Sequence, residues 1–485
     1  MNKEPEKKLW YGVFWSFLDK IINQLGTVFI TVYIARLIGP ESFGMIGMLT
    51  VFILLSECVL GGFSQALIQR SHDLTEEDSS TVFYINLAWA FLIYIILYIL
   101  APYIAQFYKL PELTSIARIL FLVIFINSLM VVFRAQLTIN LDFRSQTVAA
   151  TYGSVLSGIL AVYCAHQGYD YWSIVIMLLS KSIIVLLGLF YYSHWIPKLC
   201  FSKNSFLSLF KFGSYLMLAS MLATVVNNLS TVLVGRFFNA TNVGFFTQAT
   251  NISNYASQVI TSTLQSVTYP VMASIKDERE RLLLVYQHLV AITMCISLPL
   301  LVGLAAVSKE VVILFLGNEW SAVITVLIAL CFARAITPIS AINMNILNVI
   351  GRSDLFFKVD LCKIPISLLA IFIAIPFGIS ALAWSSIVTS LLAFFINAYY
   401  PGKLFGFGVM QQLKVAKNYI LSSGIMYAIL FAISIENIFI SLCIKIVVGI
   451  IVYSSFLLIM KDAVFIDYVS KISTFMRGIK HKNEL

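Results

Sequence analysis

The chain has 485 residues, 60% of them apolar and only 11% charged, with a formal net charge of +9. A soluble protein of this length would divide into several domains, yet apolar runs near twenty residues recur throughout, each long enough to cross about 30 Å of hydrocarbon as a helix. Those runs exclude a soluble enzyme and, because they do not alternate in polarity, a transmembrane β-barrel. The expectation is an all-α polytopic membrane protein with about fourteen transmembrane helices.

In chain order, span 1 lies near 11–37 and carries Asp19 and Asn23, with Gly26 and Thr27 less well aligned, on one polar stripe, and Lys20 beside Asp19. It is too long and too charged to be a signal peptide. Spans 2 to 6 lie near 43–68, 81–106, 113–136, 146–167 and 171–194. Glu57 sits inside span 2, Arg118 and Arg134 near the ends of span 4, and Lys181 in span 6. After a longer connection near 195–211, spans 7 to 12 lie near 212–237, 243–269, 284–307, 320–348, 355–377 and 379–399. Asn227 and Asn228 fall in span 7, and Asn251, Ser253, Asn254 and Gln258 in span 8. Arg334 lies in the middle of span 10, four residues before Pro338, and Lys363 lies in span 11. Spans 13 and 14, near 416–434 and 438–460, carry Glu436 and Lys445 and lead into a basic tail.

The sequence repeats itself. "TVYIARLIGPESFG" at 31–44 returns as "TVLVGRFFNATNVG" at 231–244, which sets Arg36 against Arg236 at the outer ends of spans 1 and 7. Gln65 returns as Gln265, "FRSQ" at 143–146 as "GRSD" at 351–354, and "YWSIV" at 171–175 as "AWSSIV" at 383–388. Echoes in register order point to a duplication. The expected organisation is an N-lobe of six helices (1–200), a C-lobe of six (201–405) in pseudo-twofold relation, and an appended helix pair with its tail (406–485). Six is even, so both halves begin on the same face and form parallel repeats of the kind alternating-access transporters use.

Charge sets the orientation. With both termini on the cytoplasmic side, the inner loops and tail collect the loop lysines and arginines, and the outer loops hold only Lys109 and Lys309. The positive charge therefore reads as topology facing anionic headgroups, and nucleic acid is not a partner.

Ionisable groups inside hydrocarbon are costly, so each is a functional candidate. Lys20, Arg118, Lys181, Arg334 and Lys363 form a cationic set suited to an anionic guest; Arg36, Arg236, Asn23 and Asn227 would extend it toward the mouth between lobes. Arg36 and Arg236 also have a simpler role, snorkelling to headgroups. Asp19 and Glu57 are candidates for coupling to H⁺ or Na⁺. Lys445 is expected to pair with Glu436 or to face headgroups. No phosphate-binding G-x-x-x-x-G-K-[ST] string, no long loop with paired carboxylates and no cysteine or histidine cluster occurs. An enzyme, a bound cofactor and a metal site are therefore not expected.

"ARLIGPESFGMIGMLTVF", "TVLVGRFFNATNVGFFTQA", "YPVMASIKDERERL" and "NVIGRSDL" resemble segments of the multidrug/oligosaccharidyl-lipid/polysaccharide exporter superfamily, in particular its Wzx-type O-antigen and colanic- or teichuronic-acid exporters. The resemblance covers nearly the whole chain. It implies a MATE-like pair of six-helix lobes around a V-shaped cavity and a location in the bacterial inner membrane. It further implies translocation of undecaprenyl-diphosphate-linked oligosaccharide repeat units to the periplasmic leaflet for surface polysaccharide assembly. Membrane lipids, a polysaccharide polymerase and a chain-length regulator would be its partners. Three rival readings are a lipid II flippase for peptidoglycan, a cation-coupled multidrug antiporter of the same fold and a membrane-embedded transferase or polymerase. The cationic excess disfavours the antiporter, which would need acidic groups for cationic drugs, and the short loops disfavour the enzyme.

Overall fold

The computed structural model describes residues 3–69, 75–467 and 470. In the first helix the side-chain description begins at Val28, so the side chains of Asp19, Lys20 and Asn23 lie outside the described residues, as does that of Gln65. The regular elements among the described residues are all helices. Eleven stretches among them are long and apolar enough to cross a bilayer. The fold is therefore all-α and polytopic.

The chain divides into two compact units, residues 1–247 and 248–485. The first contains α1 (Lys3–Gln69), α2 (Glu76–Tyr108), α3 (Leu113–Leu120), α4 (Leu122–Ile139), α5 (Phe143–His166), α6 (Asp170–Ser193) and α7 (Lys203–Phe237), with the start of α8 (Ala240–Ser274). Its helices end on clear local signals. Thr75 and Asp78 form a capping box at the head of α2, and Asp142 caps α5. In α1 the backbone leaves helical geometry at Gly39 (φ 77°, ψ 172°), a conformation glycine alone adopts without strain, and Pro40 follows. A core of Phe63, Val82, Phe83, Phe133, Val185 and Leu189 joins α1, α2, α4 and α6.

The duplicated phrase finds a physical use within this unit. A Cβ added at Gly44 would overlap the carbonyl of Ala240, and one at Gly244 would overlap the carbonyl of Pro40. The four residues are two pairs at an offset of 200: Pro40 with Ala240, and Gly44 with Gly244. The repeated segments thus meet each other, with small residues letting two backbones touch where lipid supplies no hydrophobic drive. Gly44→Val and Gly244→Val should each lower the thermal midpoint of the detergent-solubilised protein, at an overpacking cost of about 1–3 kcal/mol. Gly61→Ala, whose added Cβ meets nothing within 4 Å, should leave the midpoint unchanged. Fluorescence-detected size-exclusion chromatography after heating reads the difference.

The second unit contains the rest of α8 and α9 (Arg279–Ala306), α10 (Ser308–Val311), α11 (Val323–Ala335), α12 (Thr337–Val349), α13 (Ser353–Ala374), α14 (Ile379–Phe405), α15 (Val409–Ala432) and α16 (Ile438–Ile459). The last two helices share its core, because Tyr419, Met426, Leu430, Tyr453 and Leu457 pack with Met294, Leu298 and Ile339. Buried polar contacts reinforce the join. Tyr286 donates to Asn343 Oδ1 (2.6 Å), Asn343 Nδ2 to Gln412 Oε1 (3.0 Å), and Gln412 Nε2 to the Tyr286 hydroxyl (3.2 Å). All three side chains are buried and mutually satisfied.

One ion pair corrects the sequence reading. Lys445 of α16 pairs with Glu310 of α10 at 2.6 Å, both side chains being under 9% exposed, and Ser441 also donates to Glu310 Oε1 at 2.9 Å. Lys445 therefore neither pairs with Glu436, which is exposed, nor faces headgroups. Glu310 sits on a short helix next to an outer-loop lysine, where hydropathy gives no sign that it turns inward.

Candidate substrate site

Within the second unit, the helix carrying Arg334 is broken. α11 ends at Ala335 and α12 begins at Thr337, with Pro338 in its first turn. Proline has no N–H to donate to the carbonyl four residues back, which here belongs to Arg334. Serines of neighbouring helices bond the main chain at the break: Ser257 Oγ of α8 donates to Arg334 O (3.4 Å), which also accepts from the Ile336 N–H, and Ser297 Oγ of α9 donates to Ala335 O (3.2 Å). Helix breaks at membrane depth persist where such groups re-satisfy the backbone. The Arg334 side chain is half-buried and, among the described residues, pairs with no carboxylate. A guanidinium inside a membrane span with no carboxylate partner among the described residues is retained at a cost, which makes it the strongest anion-binding candidate among them.

The other sequence-predicted cations are differently engaged. Lys363 is tied to Asp360 of its own helix at 2.5 Å; the acid three residues upstream was legible but overlooked. Arg236 is exposed and donates to the Phe107 carbonyl (2.7 Å) near the C-terminus of α2, with its guanidinium 5.1 Å from the Phe107 ring centroid. A cation there also meets the negative end of the helix dipole. Arg118, on the last turn of α3, lies 4.5 Å over the Tyr98 ring, and its carbonyl accepts from Tyr94 (3.2 Å). Its Nε is buried without a hydrogen-bond partner. Arg36 and Asn227 are exposed, and Lys181 is half-buried.

In the first unit, Glu57 of α1 belongs to a polar relay across three helices. Its Oε1 accepts from Asn127 Nδ2 of α4 (2.9 Å), and Asn127 Oδ1 accepts from Ser182 Oγ of α6 (2.9 Å). Arg134 is close enough to interact with the carboxylate electrostatically. Lys181 adjoins Ser182 in the chain. Sequence reasoning singles out Glu57, Lys181 and Arg134 separately and passes over Asn127 and Ser182, since lone polar residues in spans more often make ordinary interhelical bonds. Among the described residues no group of three or more His, Cys, Asp and Glu side chains could hold a metal ion.

With this geometry in view, the likeness to known proteins is informative. The family described as "Polysaccharide biosynthesis protein" matches residues 33–325. Teichuronic acid biosynthesis protein TuaB of Bacillus subtilis is 26% identical over 379 residues, covering 78% of each chain. Succinoglycan biosynthesis transport protein ExoT of Rhizobium meliloti is 27% identical over 354 residues, covering 72% of this chain and 71% of that protein. Lipopolysaccharide biosynthesis protein WzxC of Escherichia coli is 26% identical over 360 residues, covering 73% and 72%. Among solved structures, the lipid II flippase MurJ in an inward closed conformation superposes with a TM-score of 0.74 at 16% identity, covering 94% of this chain and 99% of that one. An inward-facing MATE family transporter superposes with a TM-score of 0.63 at 16% identity, covering 86% and 100%. At such identities the structural likeness gives the fold alone.

Proposed function

We propose, because this chain belongs to the polysaccharide biosynthesis protein family, that it is a flippase and not an enzyme, moving a polyprenyl-diphosphate-linked oligosaccharide from the cytoplasmic to the periplasmic leaflet. The physical difficulty lies in carrying a diphosphate and several sugars past hydrocarbon, where bare desolvation would cost several kcal/mol or far more. Arg334 meets that difficulty as a half-buried cation beside a helix break, free of any carboxylate among the described residues. It would replace hydration with charge-assisted hydrogen bonds while the polyprenyl tail stays in lipid. This is the observation that carries the reading.

Alternating access of the two duplicated six-helix halves is the mechanism we favour, exposing the site to each leaflet in turn. Lys20, Lys181 and Arg118 are further candidates for contact with the anionic substrate. Lys363, already paired with Asp360, would contribute less, and Arg236, bound to the Phe107 carbonyl, would act on the position of α2. Net direction requires a bias. Removal of product by a polymerase supplies one; counter-movement of H⁺ or Na⁺ supplies another, and Glu57 in its relay with Asn127 is the group that would carry it. Both termini are assigned to the cytoplasm of a bacterial inner membrane on the lysine and arginine asymmetry.

Deletion of the gene followed by lipid analysis tests the reading. Diphosphate-linked single repeat units should accumulate on the cytoplasmic leaflet, and their sugars would name the substrate. Accumulation of lipid II in their place would select the peptidoglycan alternative, and accumulation of neither would overturn the assignment.

A further inference from the structure

The connection between α6 and α7 is built to be held still. Its backbone is strapped across the head of α2: Lys198 N donates to Ser80 Oγ (3.1 Å) and Ser202 N to Thr81 Oγ1 (3.0 Å), both acceptors belonging to fully buried residues. The Lys198 ammonium forms an ion pair with Glu76, which raises its pKa and keeps it cationic. Trp195, at the start of the strap, packs edge-on against Phe83 and Phe133 at 6.0 and 5.8 Å.

Against this fixed backbone, the apolar side chains point the wrong way for a water-facing loop. Leu199 is 96% exposed, Ile196 70% and Phe201 62%. A loop free to rearrange would fold these inward, since burying such a side chain is favourable. The strap lies where two membrane helices end, α6 at Ser193 and α2 at Glu76. The last residues of α6, "FYYS", and the following "HW" are aromatic and amphipathic, the composition of a membrane–water interface. Lys203 lies exposed just beyond it.

We infer that residues 196–201 are an interfacial membrane anchor, with Ile196, Leu199 and Phe201 seated in the headgroup–acyl boundary of the leaflet at which α2 and α6 end. The occupant is lipid, because the segment continues an aromatic belt at the level of the helix ends and flanks its apolar residues with lysines. The link between the duplicated halves is then no free tether; it is pinned both to α2 and to the bilayer surface. This requires only that the helices span a membrane and is independent of what is transported.

Full-length protein lacking its native cysteines, spin-labelled through Leu199→Cys or Ile196→Cys and placed in phosphatidylcholine–phosphatidylglycerol vesicles, tests this. Labels at 196 and 199 should be relaxed strongly by oxygen and weakly by a water-soluble nickel chelate, whereas Asp277→Cys, in an exposed polar loop, should show the reverse. Nickel access at 199 equal to that at 277 would overturn the inference, as would shielding from both reagents, which would indicate a protein partner. On the unaltered chain, phosphatidylcholine with a diazirine high on its acyl chain should label the 196–201 peptide. Labelling of span peptides without this one would also overturn it.

Discussion

Arg334→Ala should abolish surface polysaccharide assembly while the amount of protein in the membrane stays at the wild-type level, and Arg334→Lys should restore part of the activity. The first half follows from the guanidinium's position beside the broken span and its lack of a carboxylate partner among the described residues. Losing two charge-assisted hydrogen bonds to a phosphate removes about 1.5–3 kcal/mol each, roughly a hundredfold or more in rate. The second half follows from what the substitution spares. The serines of α8 and α9 bond the main-chain carbonyls of Arg334 and Ala335, and those carbonyls persist in the alanine variant. Partial rescue by lysine follows because an ammonium keeps the charge and loses the bidentate fork. Quantifying surface glycan and immunoblotting membranes checks both halves. Normal glycan in the alanine strain would remove Arg334 from the site.

Lys445→Ala carries the largest expected stability effect. Lys445 and Glu310 are buried together; the ammonium and Ser441 both donate to Glu310 Oε1, while its Oε2 has no hydrogen-bond partner. Removing the ammonium leaves a carboxylate uncompensated in a dry setting, at a cost of about 3–5 kcal/mol. The double variant Lys445→Met with Glu310→Leu should recover most of that loss, because an apolar pair of similar volume often does as well as a buried ion pair. Thermal melting of the purified protein in detergent reads the ordering: wild type and double variant high, single variant low. Equal midpoints for wild type and Lys445→Ala would show that the pair contributes nothing.

The fold was the most legible part of the sequence. Apolar runs of membrane-spanning length give helices because the backbone must bond internally in lipid; about fourteen spans are expected, and eleven stretches among the described residues are long and apolar enough to cross. The break at Arg334 was half legible: Pro338 stands four residues on and cannot donate to the Arg334 carbonyl, but nothing local says that Ser257 bonds that carbonyl and Ser297 the next one. Partner choice was the least legible. Lys363 and Asp360 share one helix face and could be paired from spacing alone, whereas Lys445 with Glu310, and Glu57 with Asn127 and Ser182, join residues far apart in the chain. Such pairings depend on how helices rotate against each other, which hydropathy does not encode. The glycine crossing lies between these cases. Its repeat was visible at an offset of 200, but not that the repeated segments touch.

Reconstitution gives the most direct test of the central claim. The purified protein is placed in vesicles carrying a polyprenyl-diphosphate oligosaccharide with a fluorescent terminal sugar, and a membrane-impermeant quencher reports the fraction exposed outside. The account predicts that wild-type protein moves labelled lipid between leaflets well above the rate in empty vesicles, and that Arg334→Ala returns it to that background. A wild-type rate no greater than that of empty vesicles, with the protein folded and inserted, would contradict it.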